Sequence, residues 1–263
     1  MKKKDLLAIY LNEFNNDYLY KGAKKYKCHL ILKNLKLKNI ETFTRDKKQN
    51  YNLDPWVQAV SISTGKSSKI HKIYNLGQPV KKIIQIWDLL CRKKISTSVW
   101  GAMNSKMKNS KYLNFYFPDP WNFKDKSKPT KLKNLYLLPN YYAKNYLKFN
   151  YVKFIFLAFL FTISLIKNSK LSDFLSDVIF SFKIILAKGF KNYILFFLFD
   201  IFFMNVVVHS LRKERSRFNL IFLNSIAHYQ HNNWNEKENE EVFFLCVERL
   251  FKKIERIKRE YSS

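Results

Sequence analysis

Apolar residues in this chain fall into short runs that stop abruptly on polar side chains and longer runs with helical spacing. Leu6–Leu11, LLAIYL, is a short run that ends at once on Asn12, Glu13, Phe14 and Asn15. A second lies at 219–224, within RFNLIFLNSIAHYQHNNW, and is followed by a short polar segment carrying His228 and His231. Runs of this length bounded by polar residues predict buried strands of a parallel sheet. A third strand is predicted at 95–100, directly after an amphipathic helix over 80–91 that places Ile83, Ile84, Trp87 and Leu90 or Cys91 on one side. Helix then strand is half of a βαβ repeat, so the expected class is α/β, a mainly parallel sheet flanked by helices. Further helices are predicted at 17–26 and from Asp54-Pro55, with Asp as N-cap and Pro at the first helical position, to Thr64-Gly65. A short strand or turn is expected within 34–44. The segment 116–121, YFPDPW, reads as a rigid aromatic loop, because its prolines oppose regular structure.

The middle third is more apolar. The runs 151–166 and 190–208 flank an amphipathic stretch at 171–188. The first is short of the roughly 20 residues a membrane span needs. The second carries Asp200 and Asn205, and a carboxylate at mid-bilayer is costly. The reading is therefore a helical insertion, or cap, at 141–210 between two parts of an α/β core, 1–140 and 211–263. Peripheral membrane contact through 151–208, aided by a lysine-rich surface, is the alternative. A charged helix is expected over 235–261, with Val242, Phe243, Cys246, Leu250, Ile254 and Ile257 along one face. It ends at Ser262-Ser263, where an α/β pattern would supply its next strand, so the pattern reads as C-terminally truncated.

Composition adds constraints. A chain of 263 residues, 47% hydrophobic and 17% aromatic, has ample material for a core. The net charge of +28 invites a nucleic-acid or anionic-membrane partner. The excess is lysine spread over the whole length, and it travels with abundant Asn, Ile, Tyr and Phe and with few Gly and Pro, the skew of AT-biased codons. Arginine, the better bidentate phosphate ligand, gathers mainly at Arg212, Arg215 and Arg217 and near the C-terminus. With no RRM, KH or helix-turn-helix signature, no specific nucleic-acid partner is expected. Cys28, Cys91 and Cys246 are far apart and odd in number, which fits a reducing, cytoplasmic compartment. The N-terminal apolar run is too short, and too soon interrupted, for a signal peptide. GKSS at 65–68 is not a P-loop, because Val60 stands where the motif needs glycine and a helical pattern precedes it.

Chemistry collects beyond the carboxyl ends of parallel strands. Asn224, His228, Gln230 and His231 would stand there, and imidazole is the commonest neutral metal ligand. Two histidines near a strand end are nevertheless more often hydrogen-bonded residues than ligands.

Three segments taken together resemble the alkaline-phosphatase-like superfamily, in its type I phosphodiesterase and nucleotide pyrophosphatase branch. They are LLAIYLNEFN, PWVQAVSISTGKSSKIHKIYNLG at 55–77 and FNLIFLNSIAHYQH, with WGAMN at 100–104 and FPDPW at 117–121 fitting the same layout. The resemblance implies a divergent two-metal phosphodiesterase- or phosphatase-like hydrolase with zinc or manganese as cofactor and a phosphate ester as substrate. Carried across, it makes Glu13, Asp54, His228 and His231 the metal-facing set and Asp54 and Thr64 the candidate catalytic residues, with His71 structural. Departures are plain: Asn12 or Glu13 replaces the first metal aspartate, Asp54-Pro55 stands where the family has Thr or Ser, and Ala227 occupies the position of the aspartate paired with His231. The family's later Asp-His pair and last histidine would fall beyond Ser263, so the chain reads as an incomplete copy with little activity of its own.

Overall fold

The computed structural model describes residues 5–35, 43–44, 53–78, 80, 83–108, 110–233 and 240–262. Its strands are β1 (Leu6–Leu11), β2 (Thr97–Trp100), β3 (Leu113–Phe117) and β4 (Phe218–Leu223). The helices, in chain order, are α1 (Asn16–Lys25), α2 (His29–Leu35), α3 (Pro55–Thr64), α4 (Ser68–His71), α5 (Ile86–Arg92) and α6 (Lys133–Asn145). They continue with α7 (Tyr151–Asn168), α8 (Leu171–Lys188), α9 (Asn192–Lys213), α10 (Ser225–Asn233) and α11 (Glu240–Ser262).

The strands form one all-parallel sheet in the order β1-β4-β2-β3. The α/β class therefore stands, and the strand expected at 219–224 is interior. β2 runs against β4 in unbroken register, from Thr97 opposite Phe218 to Trp100 opposite Ile221, and against β3 with a bulge between Thr97 and Ser98. All of β2 is buried, as a strand covered on both faces must be.

The chain divides into two compact units, each assembled from three segments. The first comprises Met1–Tyr10, Thr42–Lys167 and Glu214–Phe222, and so holds the sheet up to the last residues of β1 and β4. In its core Trp87 and Cys91 of α5 pack with Val99, Leu113 and Tyr116, while Val60 of α3 packs with Ile73 and Val80. GKSS joins α3 to α4 through Gly65, whose left-handed φ of 64° ends α3. Helix stands on either side of it, not the strand a P-loop requires.

The second unit comprises Leu11–Glu41, Asn168–Lys213 and Leu223–Ser263. Its core is aromatic: Tyr229 of α10 stacks on Phe243 of α11 at 4.0 Å, and Phe197 of α9 meets Phe243 edge-on. Gly22 of α1 lets Phe244 come so close that a Cβ there would lie 1.9 Å from the ring. Beside this core is a buried ion cluster. Asp177 of α8 accepts from Lys253 Nζ at 2.6 Å, Arg249 Nε at 2.8 Å and Asn205 Nδ2 at 2.6 Å, and Lys253 also donates to Asn205 Oδ1 at 2.7 Å.

Several expectations are corrected. The helix predicted over 80–91 starts only at Ile86, because Gln85 and Asp88 close a capping box there. Residues 116 and 117 belong to β3, since the prolines that oppose regular structure begin one position later. The polar segment after the central strand, given no secondary structure in the sequence analysis, is helix α10, and α2 was not anticipated at all. The expected strand or turn within 34–44 lies mostly outside the described residues; Asn34 itself is in α2. The beginning of the helix expected over 235–261 is also outside them, and from Glu240 that helix is present as α11.

Candidate functional site

β1 and β4 are neighbours in a parallel sheet, so their carboxyl ends deliver the following residues to the same place. Asn12 continues the ladder by donating its backbone N–H to Leu223 O at 3.0 Å. Its buried side chain donates from Nδ2 to Asn224 Oδ1 at 2.7 Å. Glu13 then takes a left-handed φ of 54°, turning the chain toward α1, and its Oε1 meets His231 Nε2 at 3.0 Å. Both partners of this pair reach solvent, with 28% of the Glu13 side chain and 64% of the His231 side chain exposed.

His228 is held differently. Its Nε2 lies 3.2 Å from Asn224 Nδ2, and an amide nitrogen can only donate, so Nε2 accepts and a neutral ring carries its proton on Nδ1. The ring stacks on Phe196 with centroids 3.6 Å apart and planes 8° from parallel. Burial, and then the nearby His231, lower its pKa to about 4. Neutral imidazole is the state a metal ion takes, but the nitrogen in question is engaged by Asn224.

The start of α10 is fixed from another helix. Asp200 of α9 accepts the backbone N–H of Asn224 at 3.0 Å and of Ser225 at 2.9 Å, the first donors of α10. Burial pushes the Asp200 carboxyl up to about 6, and these hydrogen bonds act against that rise. Asp200 is thus the residue of this cluster that sequence reasoning missed; it figured only as an obstacle to membrane insertion.

Asp54 and Thr64 belong to the first unit, at opposite ends of α3. Asp54 occupies the N-cap position, yet its side chain makes no capping hydrogen bond; its carbonyl accepts from Val57 and Gln58. The Thr64 hydroxyl donates back to Val60 O at 2.7 Å, in the last turn. Ser61 Oγ is 3.1 Å from His71 Nε2, while His71 Nδ1 accepts the N–H of Ile73 at 3.0 Å. With Nδ1 an acceptor, the neutral ring donates from Nε2, and His71 ties the turn after α4 to α3.

A second polar centre in that unit was also missed. Asn104, at a left-handed φ of 50°, accepts the N–H of Gly77 at 2.7 Å and donates to Trp56 O and Asn75 O, each at 3.2 Å. Asp119 accepts the N–H of Trp121 and of Asn104, and burial raises its carboxyl to about 7. These bonds join WGAMN and FPDPW to the first turn of α3, and they serve position rather than reaction. The positive φ is the one local sign of it, because Asn tolerates αL better than most residues.

Among the described residues no three His, Cys, Asp or Glu side chains form a group that could hold a metal ion. Of the four expected ligands, Glu13 and His231 are brought into contact. No family model, curated protein or solved structure matches this chain. The functional reading therefore rests on the sequence and on this geometry.

Proposed function

We propose that this protein is a divergent metal-dependent hydrolase of phosphate esters, with its site at the carboxyl ends of β1 and β4. The observation that supports the reading is the Glu13–His231 pair at 3.0 Å, a carboxylate and an imidazole set side by side beyond two adjacent parallel strands. With two protein donors, a carboxylate and an imidazole, the pair would hold at most one divalent ion, zinc or manganese, with the remaining positions left to water and substrate. It does not fit the two-ion centre that the family resemblance implies, because His228 is engaged by Asn224 and Phe196. A bound ion would supply positive charge to a phosphoryl oxygen. The chain's own contribution is positional: the Asn12–Asn224 amide pair fixes the two strand ends, and Asp200 fixes the first turn of the helix that bears His231. Asp54 and Thr64 belong to the first unit, where Asp54 makes no capping hydrogen bond and the Thr64 hydroxyl is held by Val60, and they are given no part in this site.

The test is metal-dependent melting of chelator-stripped protein with zinc or manganese. A ligand that binds only the folded state stabilises it by about 2.7 kcal/mol at a hundred times its Kd. Wild type is expected to gain stability, Glu13→Gln and His231→Ala to lose most of the gain, and His228→Gln to keep it. Hydrolysis of bis(p-nitrophenyl) phosphate should follow the same ranking. An identical shift in all variants, or none in wild type, would sink the metal site.

A further inference from the structure

Among the described residues two helices are long and apolar enough to cross a bilayer, and the structure separates them. Of the most apolar stretch of each, 67% is buried in α9 and 17% in α7. α9 is a core helix, with Asp200 and Asn205 both satisfied internally. Apart from Lys153 and Lys167, the open residues of α7 follow a helical stripe: Tyr151, Ile155, Phe159, Thr162 and Ile166, flanked by Val152 and Phe156. Val152 is 80% exposed and Ile155 68%, whereas Leu157, Ser164 and Leu165 on the other side are buried. A helix facing water turns polar residues outward; on α7 the outward face is the apolar one. The Thr162 hydroxyl on that face is satisfied within the helix by Ala158 O at 2.9 Å. The apolar surface continues upstream through Tyr142, Tyr146 and Leu147, all exposed, which makes it a patch rather than a scatter of single residues.

Charge selects the occupant. No Asp or Glu lies between Asp125 and Asp173, while nine lysines do. Among them Lys144, Lys148, Lys153 and Lys167 are exposed around α7. A second copy would bring the same lysines against these, and like charges oppose that contact. An anionic surface would be drawn to them, at roughly 1 kcal/mol per lysine close to a charged bilayer. Tyr142, Tyr146 and Tyr151 at the lysine-rich end are side chains that favour the headgroup level.

We propose that α7 is an interfacial helix that docks this protein on an anionic lipid bilayer, with the stripe Val152, Ile155, Phe156 and Phe159 among the acyl chains and the lysines on the headgroups. It lies in the surface and does not span it, because Leu157, Ser164 and Leu165 stay packed in the protein. This inference does not depend on the hydrolase reading.

Flotation of the full chain with phosphatidylcholine vesicles, with and without phosphatidylserine, tests it. The wild type is expected to float with the anionic vesicles, and Phe156→Glu/Phe159→Glu to lose roughly tenfold or more of that partitioning with unchanged thermal melting. Lys144→Gln/Lys148→Gln should weaken binding at low salt only, since salt screens the headgroup term. As a site-specific reading, an environment-sensitive fluorophore on Phe156→Cys should shift to the blue with vesicles; the native cysteines are all buried. Absence of flotation, flotation indifferent to Phe156→Glu/Phe159→Glu, or a dimer that the same pair of changes dissolves while vesicles are ignored would each overturn the proposal.

Discussion

At the scale of single residues, Asp200 holds Asn224 by its backbone N–H and His228 by its side-chain amide, and burial displaces their pKa values in opposite senses. Asp200, raised to about 6, binds a proton in the folded protein over a range where the unfolded chain has released it. Its contribution to stability is therefore full below about pH 4 and is lost as pH rises toward 6. His228, lowered to about 4, remains neutral where the unfolded chain's imidazole is already charged. Its contribution is full above about pH 6.5 and is lost as pH falls toward 4. The two slopes oppose each other in one window, so wild type conceals both. Urea unfolding between those limits should show Asp200→Asn with stability rising with pH relative to wild type, and His228→Gln with stability falling. Parallel pH profiles for all three proteins would refute the arrangement. None of this was legible in the sequence, where Asp200 and Asn224 are far apart and no periodicity links them; His228 was visible as a candidate ligand but not as a buried, stacked ring.

At the scale of elements, two helices of the second unit start on carboxylates borrowed from neighbours. Asp200 serves α10, and Glu248 of α11 accepts the N–H of Leu30 at 2.8 Å and of Ile31 at 3.0 Å at the head of α2. Cap signals are sought in the residues just before a helix, which is why both helices escaped notice. α8, by contrast, was expected at 171–188 and occupies Leu171–Lys188, because its amphipathic period is written in its own residues. Its buried charges permit a clear contrast. Asp177→Ala strands Lys253 and Arg249 and should cost about 3–5 kcal/mol in denaturant unfolding, whereas Asp173→Ala, which breaks a partly exposed pair with Arg256, should cost about 1 kcal/mol or less. The contact of α1 with α11 is similarly intolerant: Gly22→Ala gains helix propensity but must displace the fully buried ring of Phe244, for a net loss of roughly 1–2 kcal/mol. In the first unit, Asn104→Ala removes three side-chain hydrogen bonds at a left-handed position and should cost about 2–4 kcal/mol, with Asn104→Gly milder because glycine keeps the backbone unstrained. Thermal melting of the pair distinguishes the lost bonds from the backbone strain.

At the scale of the whole molecule, hydropathy foretold which segments would be helices but not which of them would have partners. The runs that became α7 and α9 look alike in composition, yet one is exposed and the other is core. The difference lies in what each helix meets, and that is a property of the fold. Parallel topology was legible, because a helix preceding a short buried run implies a crossover. Strand order was not. Among the described residues β4 comes last of the strands in sequence and lies between β1 and β2, the first two. This has a consequence for biosynthesis. Until the ribosome has released Leu223, β1 and β2 each present an open edge with no partner between them. Completing the sheet waits on that insertion, so the nascent chain must be kept from pairing its bare edges with other chains, and release from chaperones should come only once β4 has emerged.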